Sequence, residues 1–206
     1  MILLLALACS SERMWPGGTG VGNPGTTRLT MERSSALTID EASVPFAAWE
    51  VETCDGEIVS VDVGRDADLM SPEPDELPGG EWCGLSALFD GPLHLVARAE
   101  KGEPGKATVD LLLDLGEAGV MLDALEVDGG SWILELHPPS KEAMHGLEDG
   151  THLEVEPGDP DHDKLASAIA TTAGLFEDLD ENGVLDAQER DEGPLGGSPG
   201  GTGDDP

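Results

Sequence analysis

Between Asp178 and Glu189, oxygen-bearing side chains recur at a spacing suited to holding a hard cation. Asp178, Asp180, Asn182, Asp186 and Glu189 surround a single glycine, Gly183. A cation of calcium's size takes roughly six to eight oxygen ligands at about 2.3–2.6 Å, and oxygens on alternate residues of a tight turn can be aimed at one centre. Gly183 allows the positive-φ turn that a residue with a Cβ would resist. The competing reading is a solvated acidic turn, which a strongly acidic chain produces by chance.

The run Asp178-Leu179-Asp180-Glu181-Asn182-Gly183-Val184-Leu185-Asp186-Ala187-Gln188-Glu189 resembles the twelve-residue calcium loop of the EF-hand family. The resemblance implies bound calcium (Ca2+). Asp178, Asp180 and Asn182 would each supply a side-chain oxygen and Val184 its backbone carbonyl; Asp186 would act directly or through a water, and Glu189 with both carboxylate oxygens. Leu185 stands where the family places an apolar residue that makes a short β-contact with a partner loop. The resemblance covers residues 161–192. Asp161 and Asp163 are N-cap candidates, and Leu165, Ile169, Thr172 and Phe176 follow at i, i+4, i+7 and i+11, which predicts a helix entering the loop. Gly193 and Pro194 end the exit helix within about two turns. No second hand is present to pair with this one. It is therefore expected to pack on the neighbouring domain, dimerise, or bind with an extracellular-type affinity of order 10⁻⁴–10⁻³ M.

Met1 to Ala8 is almost wholly apolar, and Ala6-Leu7-Ala8-Cys9-Ser10-Ser11 resembles the cleavage box of bacterial lipoproteins. That resemblance implies a signal peptide over residues 1–8 and a lipidated Cys9, anchored through its acyl chains to a membrane of the cell envelope. Ser10 is compatible with export to the outer membrane. Two departures stand beside it: the segment carries no Lys or Arg, and its apolar stretch is only about seven residues, at the lower limit for a signal peptide. The competing reading is an apolar N-terminus with an incidental cysteine. Of three cysteines, assigning Cys9 to lipid leaves Cys54 and Cys83 as one even pair, a disulfide suited to an exported protein. Residues 9–35, rich in Gly, Ser, Thr and Pro, read as a flexible tether, and residues 193–206 as a disordered tail.

What must position the loop is the body, residues 36–157, where short runs have a period of two. Trp49, Val51 and Thr53 alternate with acidic residues, and Val59, Val61 and Val63 with polar ones. The same alternation carries Leu93, Leu95, Ala97 and Ala99, then Val109, Leu111, Leu113 and Leu115, then Trp132, Leu134 and Leu136, and last Leu153 and Val155. Residues 101–106 and Asp128-Gly129-Gly130 read as hairpin turns. The expected fold is mainly β: an antiparallel β-sandwich or barrel of seven to nine strands, followed by a single helix-loop EF-hand over residues 158–192.

With 43 acidic residues against 10 basic ones, the formal net charge is −33. No basic stripe exists to meet phosphates, which argues against nucleic-acid binding. Any membrane contact is expected through the lipid alone. The histidines His94, His137, His145, His152 and His162 show no ligand spacing, and no nucleophile or phosphate-loop motif is present, so catalysis is not expected. These features together point to a non-enzymatic, calcium-binding envelope lipoprotein. An alternative makes the sandwich a glycan- or protein-recognition module, for which exposed Trp15, Trp49, Trp82 or Trp132 would be the sign. A third reading, an envelope enzyme with a paired-carboxylate site, requires a pocket that the sequence cannot select.

Overall fold

A computed structural model describes residues 22–33, 37–99, 107–140, 143–144 and 152–197. The signal segment with Cys9, Trp15, the 101–106 turn, His145 and the last nine residues lie outside the described residues. The first strands are β1 (Gly25–Met31), β2 (Leu37–Thr53), β3 (Ile58–Asp68), β4 (Asp75–Leu77), β5 (Gly80–Phe89) and β6 (Leu93–Ala99). There follow β7 (Thr108–Leu113), β8 (Glu117–Val127), β9 (Ser131–Leu136), β10 (His152–Val155), α1 (His162–Ala170), β11 (Gly174–Glu177), α2 (Ala187–Glu192) and β12 (Gly196–Gly197).

The fold is mainly β, as the period of two predicts. Its strands hydrogen-bond in the order β10-β7-β6-β2-β5-β8-β12-β11-β9-β1-β4, with β3 also on β2, and the sheet curls into a half-barrel. The seventeen-residue β2 makes the turn: its pairing shifts between Phe46 and Ala48, its first part pairing with β6 and its last with β5. An irregularity of this kind bends a strand and sharpens its twist. Inward-facing Phe46, Trp49, Trp82, Leu85, Leu95 and Leu111 then meet in one core.

Four expectations are corrected. The sheet is mixed, not wholly antiparallel, because β1 runs parallel to β9 and β10 parallel to β7. Part of the predicted tether is strand: β1 alternates buried Gly25, Thr27, Leu29 and Met31 with partly exposed residues, a pattern hidden because two of the inward positions are Gly and Thr. Part of the predicted tail is strand as well, since Gly196 and Gly197 bridge β11 and β8. That insertion also parts the expected hairpin at Asp128–Gly130: β8 and β9 follow one another in sequence, but β12 and β11 lie between them.

Cys54 and Cys83 form the expected disulfide, with Cα atoms 4.9 Å apart and a sequence separation of 29. It ties the end of β2 to β5. A loop of that length contributes about 3–4 kcal/mol in the chain-entropy account. Among the described residues no helix is long and apolar enough to cross a membrane.

Candidate metal centre

The element that enters the loop is a strand. Leu165 and Ile169 are buried on one face of α1, as the helical spacing requires, but the helix ends at Thr171. Thr171 and Thr172 turn their hydroxyls back to the carbonyls of Ser167 (2.7 Å) and Ala168 (2.8 Å), a bond that competes with helix propagation. Gly174 then begins β11, and Phe176, expected on the helix face, is buried as a strand residue. The predicted helix–loop entry is thus corrected to strand–loop–helix. The exit helix α2 is the expected stub, six residues ending at Gly193.

The loop closes on itself through its own oxygens. Asp180 Oδ1 accepts from the Asn182 N–H (3.2 Å) and Asn182 Oδ1 from the Val184 N–H (2.7 Å). Gly183 adopts φ 79°, as anticipated, and Glu181 is also left-handed at φ 57°. Asp186 caps α2 by accepting from the N–H groups of Gln188 (2.7 Å) and Glu189 (3.0 Å). Glu189 reaches back in return, one oxygen accepting from the Asp186 N–H (2.8 Å) and the other from the Leu179 N–H (2.7 Å). Its carboxylate therefore joins the two ends of the loop.

At the centre lies Asp178, whose side chain is fully buried. Oδ2 accepts three hydrogen bonds, each 3.0 Å long, from Arg28 Nη1, Ser131 Oγ and the Gly183 N–H. Oδ1 is buried and has no hydrogen-bond partner. A buried carboxylate oxygen left unpaired is costly, which makes this atom a candidate ligand for a cation. Two further carboxylates are beside it: oxygens of Asp178, Asp180 and Glu189 lie within 4.8 Å of one another. Of the predicted ligands, the fold brings these three together. Asn182 and Val184 are held on the same turn by the bonds just described, whereas the Asp186 carboxylate is outside the cluster and occupied in capping α2. The donors are hard oxygens throughout, which suits calcium and no soft metal.

The loop is seated on β9. Ser131, Ile133 and Glu135 share one face of that strand, and each receives a different part of the loop. Ser131 donates to Asp178 at its start. Ile133 forms a small apolar cluster with Phe176 and Leu185 under its middle. Glu135, 2% exposed, takes both ends of the Arg190 guanidinium (2.6 and 2.7 Å) from the exit helix. That hydrogen bonding, only partly offset by desolvation, raises the Arg190 pKa above its ordinary value. Leu185 therefore packs on the sheet. Arg28, Ser131, Glu135 and Arg190 escaped the sequence reading; the available sign was Ile133, an apolar residue on the face that strict alternation assigns to solvent.

Elsewhere, the Asp159–Asp163 cluster leads into α1, where Asp161 takes the N-cap position without a side-chain cap bond. Buried His162 accepts the Asp114 N–H at Nε2 (3.1 Å) and contacts Asp163 through Nδ1 (2.9 Å). A larger groove of about 380 Å³ crosses the sheet face between Glu50, Glu52, Ser86, Glu117 and Met121, and no histidine lines it. Trp49, Trp82 and Trp132 are buried, at 0%, 1% and 5% exposure, so none forms a surface platform for a glycan.

No family model matches the chain, and no curated protein is similar to it. Among solved structures, the NMR structure of a protein from Eubacterium rectale aligns with 66% of this chain and 94% of that one, at 11% identity and a TM-score of 0.22. A likeness that slight carries no argument about fold or function.

Proposed function

We propose that this is a non-enzymatic calcium-binding protein of the bacterial cell envelope, lipidated at Cys9, in which calcium fastens the C-terminal segment to the β-sheet. The observation that carries the calcium reading is the buried, unpartnered Oδ1 of Asp178, in a residue whose carboxylate groups with those of Asp180 and Glu189 within 4.8 Å. Asp178, Asp180, Asn182, Val184, Asp186 and Glu189 are the proposed ligands, Asp186 through a water because its carboxylate caps α2. The Cys54–Cys83 disulfide supports export to an oxidising compartment. Burial of the three tryptophans removes the main support for a recognition module built on them.

Asp180 is the ligand to alter first, because it is exposed and its hydrogen bonds stay within the loop. Isothermal titration of chelator-stripped protein should give one calcium per chain, and Asp180→Ala should weaken binding by about tenfold or more. The absence of any binding heat at millimolar calcium would sink the proposal.

A further inference from the structure

We infer that Arg28 is a resident cation of the calcium loop, one that holds the metal-free loop in shape and lowers its affinity for calcium. The inference rests on the calcium reading and concerns how strongly that site binds. Arg28 reaches the loop from β1, 150 residues away in sequence. Its Nη1 donates to both Ser131 Oγ (2.9 Å) and Asp178 Oδ2 (3.0 Å). A Cβ added to Gly183 would lie 2.8 Å from Arg28 Nε, so the guanidinium lies against the turn where only glycine leaves room. Gly183 is thus fixed twice, by its φ of 79° and by this contact.

The arrangement divides the Asp178 carboxylate between two cations. Oδ2 is taken by Arg28, Ser131 and Gly183, while Oδ1 is left for the metal. Calcium can bind without displacing Arg28, so the guanidinium charge persists beside the bound ion. The Arg28 side chain is only 15% exposed, and the carboxylate it faces is fully buried, so solvent screens this repulsion poorly. Arg28 offsets one of the five negative charges that Asp178, Asp180, Glu181, Asp186 and Glu189 bring to the loop. Removing it leaves Asp178 still oriented by Ser131 and Gly183, and the electrostatic gain then prevails over the loss of one restraint.

The test compares Arg28→Met, which keeps the apolar stem, with Arg28→Lys, which keeps the charge. Calcium titration at about 0.1 M salt should show R28M binding about 3- to 30-fold more tightly than the parent, and R28K within about threefold of it. In chelator R28M should melt at a lower temperature than the parent, and calcium should raise its melting point by a larger increment. A variant that fails to fold without metal is refolded in calcium, and its affinity read by competition with a chelator of known strength. Unchanged or weaker binding by R28M overturns the inference while leaving the calcium site intact; a parent that binds no calcium overturns both.

Discussion

Asp178→Asn separates a metal ligand from a merely structural aspartate. The substitution is isosteric, so the three donors around Oδ2 still find an oxygen, and the new amide takes the place of the unpartnered Oδ1 in a residue grouped with Asp180 and Glu189. There it would donate to carboxylates. With Asn the bonds from Ser131 and Gly183 become neutral and the one from Arg28 keeps only the guanidinium charge, a loss of about 1–2 kcal/mol that the new donor offsets in part. In chelator, D178N should therefore melt within a few degrees of the parent. Asp178→Ala, which strands Arg28 beside a cavity, should cost about 3–5 kcal/mol. Calcium reverses the emphasis. At a hundredfold excess over its dissociation constant the ion should stabilise the parent by about 2.7 kcal/mol, which in a domain of this size is about 5–10 °C. D178N should gain almost none of this. The assay is thermal unfolding by circular dichroism in chelator and in calcium, with magnesium as the control cation. Equal calcium-dependent increments for parent and D178N would refute the reasoning, because the orphaned oxygen would then have no part in binding.

Two further outcomes follow from the same geometry. Leu185→Ala should lose about 2–3 kcal/mol by emptying the cluster with Ile133 and Phe176, and should weaken calcium binding because the loop loses its apolar seat; titration and melting of one sample check both. Replacing Cys54 and Cys83 together by serine should cost about 3–4 kcal/mol and roughly 10 °C in melting temperature, and an unchanged melting curve would show that the bridge constrains little.

The sequence was most legible where one physical rule acts alone. Alternation in β6 and β7 announced strands, because burial on one face is enough to produce a period of two, whereas β9 is buried on both faces. The loop's oxygen-bearing residues were equally plain as a pattern, and three of them, Asp178, Asp180 and Glu189, come together in the fold. Failure came where two rules compete. Leu165, Ile169, Thr172 and Phe176 keep helical spacing, yet Thr171, Thr172 and Gly174 stop the helix and sheet pairing claims Phe176. β1 carries few apolar residues but lies parallel to β9 by long-range pairing that no local pattern encodes. Arg28 was unreadable for the same reason: its partner Asp178 is 150 residues distant.

A loop of this kind needs a surface to hold it, and here one strand can do so. Ser131, Ile133 and Glu135 occupy alternate positions of β9, which spreads them over about 13 Å of strand. Each supplies a different kind of contact: a hydroxyl to Asp178, an aliphatic side chain to Leu185, and a buried carboxylate to Arg190. Breaking the last pair by removing Glu135 would leave Arg190 unpaired at the sheet surface. None of the three requires calcium, and Glu189 closes the loop through backbone N–H groups alone. The loop's seat on β9 therefore rests on groups of the protein itself. Calmodulin-like opening has no place in such a design, because the apolar residue that would have to be released, Leu185, is held beneath the loop by residues of the sheet itself.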